Sequence, residues 1–114
     1  MTRRSVICDR WDVVVVPFPF SDKAADKRRP ALVLSDKAFN RAGHTILAMI
    51  TTRGHRSWPG DRILEELEDA GLPLPCLVRL KLFTLDNRVI LRRLGRLSDA
   101  DRSQVESSLS THLP

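Results

Sequence analysis

A chain of 114 residues, with 42% hydrophobic and 29% charged side chains, has room for one globular domain over residues 1–114. It is too rich in apolar residues for a disordered tail. The net charge of +5 is unevenly spread: residues 1–60 hold 11 Lys and Arg against 5 Asp and Glu, and residues 61–114 hold 8 against 9. A basic first half favours a polyanionic partner, because clustered cations release counterions from phosphates, although a solubilising surface produces the same excess.

Residues 11–20 read WDVVVVPFPF. Four consecutive valines predict a strand buried on both faces. Pro17 and Pro19 cannot donate ladder hydrogen bonds, so this strand must reach an edge or bend there. Residues 21–29 are polar and lack periodicity, which predicts a loop carrying Lys23, Lys27, Arg28 and Arg29. Pro30 launches a short apolar strand over 31–34. A polar connection follows over 36–44, with one helical turn. Residues 45–52, TILAMITT, predict a third strand rich in β-branched side chains. A second basic loop spans 53–60. Residues 63–70 combine helix-forming side chains with an acidic surface, and Gly71, Pro73 and Pro75 stop that helix.

Residues 77–85 and 89–94 predict two further strands, paired as a hairpin through a tight turn at 86–88. Ser98 opens the last helix. Its hydroxyl, with Asp101 three residues on, approaches a capping box, and Val105 and Leu109 share one face. The expected fold is mainly β with a C-terminal helix, its short strands curling into a small antiparallel barrel.

Cys8 and Cys76 have no close cysteine partner, so neither a zinc site nor a disulfide framework follows, and reduced thiols in a reducing compartment are expected. No apolar run reaches membrane-spanning length, and the polar start has no hydrophobic stretch behind it. A cytoplasmic protein without membrane attachment is expected. Glycine-rich phosphate loops, Ser-His-Asp order and paired carboxylates are missing from the sequence. His44, His55 and His112 are scattered without metal-ligand spacing, so no metal or cofactor is expected. Chemistry must then fall to Arg, Lys, Thr and Ser. That favours phosphate reactions, in which positioning and electrostatic stabilisation supply most of the rate.

The block VVVVPFPFSD, a charged loop, RRPALVLS and a strand ending in Thr-Thr resemble the MazF/PemK toxins. The later stretch KLFTLDNRVILRRLGRLSDAD is similar to chromosomal members. The likeness runs over roughly residues 11–110. It implies a curled, SH3-like antiparallel barrel with a C-terminal helix, a homodimer, and metal-independent cleavage of single-stranded RNA. In that reaction the ribose 2′-hydroxyl attacks the adjacent phosphorus, leaving a 2′,3′-cyclic phosphate and a 5′-hydroxyl.

By the same resemblance Arg29, directly before the proline of Arg-Pro, matches the catalytic arginine, and Thr51 matches the catalytic threonine. A guanidinium fork binds two phosphate oxygens at once, and a threonine hydroxyl donates one more bond. Without the resemblance, a surface ion pair and a strand-end threonine favoured by β-branching are the preferred readings of these residues. Arg28, Thr52, Arg53, His55, Arg56 and Arg79 are the expected RNA contacts. His55 has the intrinsic pKa of a general base, which an arginine lacks.

Two departures stand out. Some members carry an acidic residue soon after the arginine matching Arg79, and here none occurs between Arg79 and Asp86. Many members have glycine where this chain has Trp11, which reads as a half-buried edge aromatic or a base-stacking side chain. A non-catalytic nucleic-acid-binding module, and an antitoxin-binding module acting in a DNA-bound repressor complex, are the competing functions. As a toxin, the chain should meet an antitoxin with an acidic segment, and operator DNA only through that antitoxin.

Overall fold

The computed structural model describes residues 7–17, 27–53 and 56–113. β1 (Asp12–Pro17) holds the valine run. Val13 packs in one hydrophobic cluster while Val14 and Val16 pack in another, so the strand is buried on both faces as its composition requires. β1 lies between two neighbours. β2 (Arg28–Val33) is one, and it begins earlier than Pro30 suggested. Pairing of β2 with β3 (His44–Thr52) starts only at Ala31, so Pro30 sits where the strand has a partner on one side. Between them, α1 (Lys37–Asn40) is the expected helical turn, capped by Asp36 Oδ1 accepting from Phe39 N at 2.9 Å.

The helix expected over 63–70 shrinks to α2 (Leu67–Ala70). Its first half is claimed by strand pairing: β4 (Arg62–Ile63) lies beside β5 (Cys76–Asp86), and Leu64 N donates to Cys76 O at 3.0 Å. Glu65 N and Glu66 N donate to the buried Asp101 carboxylate instead of entering a helix. Gly71 ends α2 at φ 73°, where a Cβ would fall 2.3 Å from Leu94 O.

The expected hairpin of the last two strands is also overturned. β5 pairs with β3 along its length, a 3₁₀ turn (Asn87–Val89) follows, and β6 (Arg92–Arg96) pairs with β1 at the far side of the sheet. The buried Asn87 redirects the chain. Its side-chain nitrogen donates to Asn40 O at 2.6 Å, its oxygen accepts from Thr45 Oγ1 at 2.7 Å, and its backbone nitrogen donates to Gly43 O at 2.9 Å.

α3 (Asp99–His112) starts at Ser98, whose Oγ accepts from Asp101 N at 3.2 Å. The capping-box expectation holds for the hydroxyl only, because the Asp101 carboxylate turns away to Glu65 and Glu66. The six strands form one antiparallel sheet in the order β4-β5-β3-β2-β1-β6, curled into a half-barrel. Leu64, Leu72, Leu97 and Val105 cover one face with Val13, Leu32, Ile50 and Val78. Val14, Val16, Ala31, Val33, Leu47 and Ile90 form the second cluster, on the opposite face. No helix among the described residues is long and apolar enough to cross a membrane.

Trp11 is neither exposed nor half-buried: it is 6% exposed within the first cluster, so the indole offers no stacking platform. Its φ is 78°, the left-handed region that suits glycine. Burial of the ring, together with bonds from Trp11 N to Val33 O and from Leu97 N to Trp11 O, holds it there. Both cysteines are buried. Burial, and secondarily the charge of Asp12, push the Cys8 thiol up to about 11, and burial raises Cys76 as well. Since the thiolate is the nucleophile, neither should react with iodoacetamide at pH 7.5 in the folded protein, and both should react in urea. Mass spectrometry before and after denaturation checks this; native labelling of Cys8 would contradict the packing described.

A candidate nucleic-acid cleft at one end of the sheet

Because β2 and β3 are antiparallel, the start of β2 and the end of β3 lie at the same end of the sheet. Their ladder closes at Ala31↔Met49, with Arg29 two residues before Ala31 on β2 and Thr51 two residues after Met49 on β3. Arg29 faces Val16 on its other side, and Thr51 faces Leu77. Alternation puts Met49 and Thr51 on the face of Leu47, and Arg29 on the face of Ala31. Thr51 is 8% exposed, Arg29 is half-buried, and Arg28, Thr52, Arg53 and Arg56 are exposed.

A bulge brings Arg79 to this end. The β3–β5 register passes from Ala48↔Leu82 directly to Met49↔Arg79, so Leu80 and Lys81 are extra residues in β5. Bulges re-aim side chains in this way, and here Arg79 stands where Lys81 would otherwise face Met49. The Arg79 guanidinium is engaged bidentately by Asp61, with Nε to Oδ1 at 3.1 Å and Nη2 to Oδ2 at 2.9 Å. Nη2 also donates to Arg56 O at 2.9 Å. Both side chains are largely enclosed, 12% and 14% exposed, and the hydrogen bonds that Arg79 donates to Asp61 raise the arginine above its ordinary value. Asp61 therefore supplies the carboxylate beside Arg79 that the residues following Arg79 lack.

Asp61 ends the turn Trp58-Pro59-Gly60-Asp61. Asp61 N donates to Trp58 O at 3.0 Å, and Asp61 Oδ2 accepts from Trp58 N at the same distance. Proline second and glycine third, with Gly60 at φ 84°, match a type II turn. Ser108 of α3 braces it, donating to Gly60 O at 2.8 Å, and Leu80 from the bulge packs beneath Gly60. The Arg79 guanidinium lies over the Trp58 ring at 5.5 Å.

Met49, Thr51, Arg56, Ser57, Trp58 and Arg79 line a cleft of about 450 Å³. Of the expected site residues it gathers Thr51, Arg56 and Arg79. Arg28, Arg29, Thr52 and Arg53 are not among its lining; the first three occupy the strand ends at this end of the sheet, and Arg53 directly follows β3. His55, and the loop residues 21–26 with Lys23, lie outside the described residues. Sequence reasoning missed Trp58 and Asp61. The Trp-Pro-Gly-Asp turn was the available signal, obscured by the arginines of the same loop.

The sequence profile of the PemK-like, MazF-like toxins of type II toxin–antitoxin systems matches residues 9–113. No curated protein matches the chain. Among solved structures, MazF in the MazE–MazF assembly of Deinococcus radiodurans superposes with TM-score 0.71 at 26% identity, covering 95% of this chain and 96% of its own. An endoribonuclease from a mycobacterial species, in complex with its cognate antitoxin, gives 0.74 at 22% identity over 94% of this chain and 97% of its own. The Mycobacterium tuberculosis toxin MazF-mt6 gives 0.67 at 21% over 88% and 93%. The last two likenesses are of fold alone.

Proposed function

Because the chain belongs to the PemK-like, MazF-like toxin family of type II toxin–antitoxin systems, we propose that it is a metal-independent endoribonuclease that cuts single-stranded RNA. The 2′-hydroxyl loses its proton and attacks the adjacent phosphorus; the bond to the 5′-oxygen breaks and that oxygen takes up a proton. A 2′,3′-cyclic phosphate and a 5′-hydroxyl result. Arg29 grips the two non-bridging oxygens as charge builds on them, and the Thr51 hydroxyl donates to the same group. His55 is the side chain of this loop suited to accept the 2′-proton. Arg28, Thr52, Arg53 and Arg56 guide the backbone, and Arg79 borders the base path.

The observation that supports this most is that the antiparallel β2–β3 pairing brings the start of β2, with Arg29, and the end of β3, with Thr51, to one end of the sheet, beside a cleft lined by Thr51, Arg56 and Arg79. The test is incubation of purified protein with single-stranded RNA in excess chelator: cutting is expected, and a strict need for a divalent ion contradicts it.

A ribonuclease of this kind, free in the cytoplasm, needs restraint. We assign that to an antitoxin whose acidic segment orders in the same cleft, with operator DNA reached through the antitoxin and the toxin acting as a homodimer. Complexes with an antitoxin among the similar structures support such a partner. Reversing charge at Arg53 and Arg56 together should weaken RNA cleavage and antitoxin binding alike, chiefly through slower association at low salt. Both are measured on one preparation. Weakened cleavage with unchanged antitoxin affinity would place the inhibitor elsewhere.

A further inference from the structure

Trp58 is 43% exposed and lines the cleft. Trp58 is also held firmly. Asp61 fixes its backbone nitrogen, the Pro59-Gly60 turn follows it, and Arg79 lies over its ring. Asp61 and the Arg56 carbonyl in turn pin Arg79, so the indole rests on a fixed cation. Trp58 shares the cleft lining with Thr51 and Arg56, an arginine and a strand-end hydroxyl suited to phosphate. A flat, rigid, exposed ring beside phosphate-binding groups suits a nucleobase, and base-on-aromatic stacking adds affinity in single-stranded nucleic acids.

We infer that Trp58 is the stacking platform for one base of the bound single strand, next to the phosphate that Thr51 and Arg29 address. Asp61 and Arg79 are positioning residues for that ring. This rests on the cleft binding RNA, as proposed above, but not on its cutting it. The Asp61–Arg79 pair then serves the base rather than the phosphate. The carboxylate cancels much of the guanidinium's charge toward a polyanion while leaving its plane beside the indole.

The experiment uses 2′-O-methyl RNA octamers of mixed sequence, which bind without offering the attacking hydroxyl. They are titrated against the whole protein and its Trp58→Phe and Trp58→Ala variants, each first shown to melt as the parent does. Saturable quenching of tryptophan fluorescence is expected in the parent and absent from Trp58→Phe, because the only other tryptophan, Trp11, is buried. By anisotropy of labelled octamer, Trp58→Phe should bind within about threefold of the parent and Trp58→Ala roughly tenfold or more weaker.

Equal affinity for all three proteins overturns the platform, as does quenching that survives in Trp58→Phe. Cleavage of unmodified RNA is measured alongside. A protein that quenches without cutting keeps the platform and sinks the nuclease; one that cuts without quenching does the reverse.

Discussion

Arg29→Ala is expected to slow RNA cleavage on the order of 10²–10³-fold, the usual loss when one preorganised donor to a developing oxyanion is removed. The loss should fall on kcat, since the fork gains most as negative charge accumulates on the phosphate oxygens. Arg29→Lys should recover only part of the rate, because an ammonium is a point charge and cannot hold two oxygens in one plane. Thr51→Ala should lose less, on the order of 10-fold to 10²-fold, and Thr51→Ser should stay near the parent. Single-turnover cleavage of a labelled oligonucleotide separates these variants. If Arg29→Ala and Thr51→Ala both cut at the parent's rate, Arg29 and Thr51 are not the catalytic pair.

Asn87→Ala is expected to be the most damaging single change to the fold outside its apolar core. The amide satisfies the hydroxyl of Thr45 and the carbonyl of Asn40, all three residues being buried. Its removal strands the buried Thr45 hydroxyl, at a cost of roughly 1–3 kcal/mol, while Asn40 O keeps the bond it accepts from Gly43 N at 3.1 Å. A loss of about 1–3 kcal/mol should lower the melting temperature by several degrees, from the few degrees per kcal/mol expected at this size. Thr45→Val in the Asn87→Ala background should restore part of the loss by removing one orphan. Urea melts of the four proteins measure this directly. A change under about 1 kcal/mol for Asn87→Ala would mean that water replaces the amide.

The same asparagine marks where the sequence stops being readable. Asp86-Asn87-Arg88 between two apolar runs looks like a hairpin turn, and nothing local says that Asn87 will be buried against Asn40 and Thr45, more than 40 residues away. The shortened helix before Gly71 has a similar cause. Leu64 to Glu66 have adequate helix propensity, but Cys76 O claims the donor of Leu64, and Asp101, 36 residues beyond Glu65, claims those of Glu65 and Glu66. Elements set by local chemistry were legible: the valine run of β1, the β-branched β3, Ser98 at the head of α3.

The site divides along the same line. Arg29 and Thr51 could be proposed from the sequence because the Arg-Pro and Thr-Thr pairs sit in strands whose motifs resemble a known family. Trp58, Asp61 and the re-aimed Arg79 depend on a bulge and a turn-to-strand ion pair that no spacing encodes. Trp11 was misread because its left-handed φ and its burial are decided by Val33 and Leu97 rather than by its neighbours in sequence.

Cleavage by 2′-hydroxyl attack is tested most directly with one oligonucleotide pair: single-stranded RNA of mixed sequence, and the same strand with every 2′-hydroxyl methylated, both in excess chelator. Mass spectrometry of the products should show 2′,3′-cyclic phosphate and 5′-hydroxyl ends from the first and no cleavage of the second. Cutting of the methylated strand, or 5′-phosphate ends from the unmodified one, would contradict a mechanism built on Arg29, Thr51 and the substrate's own hydroxyl.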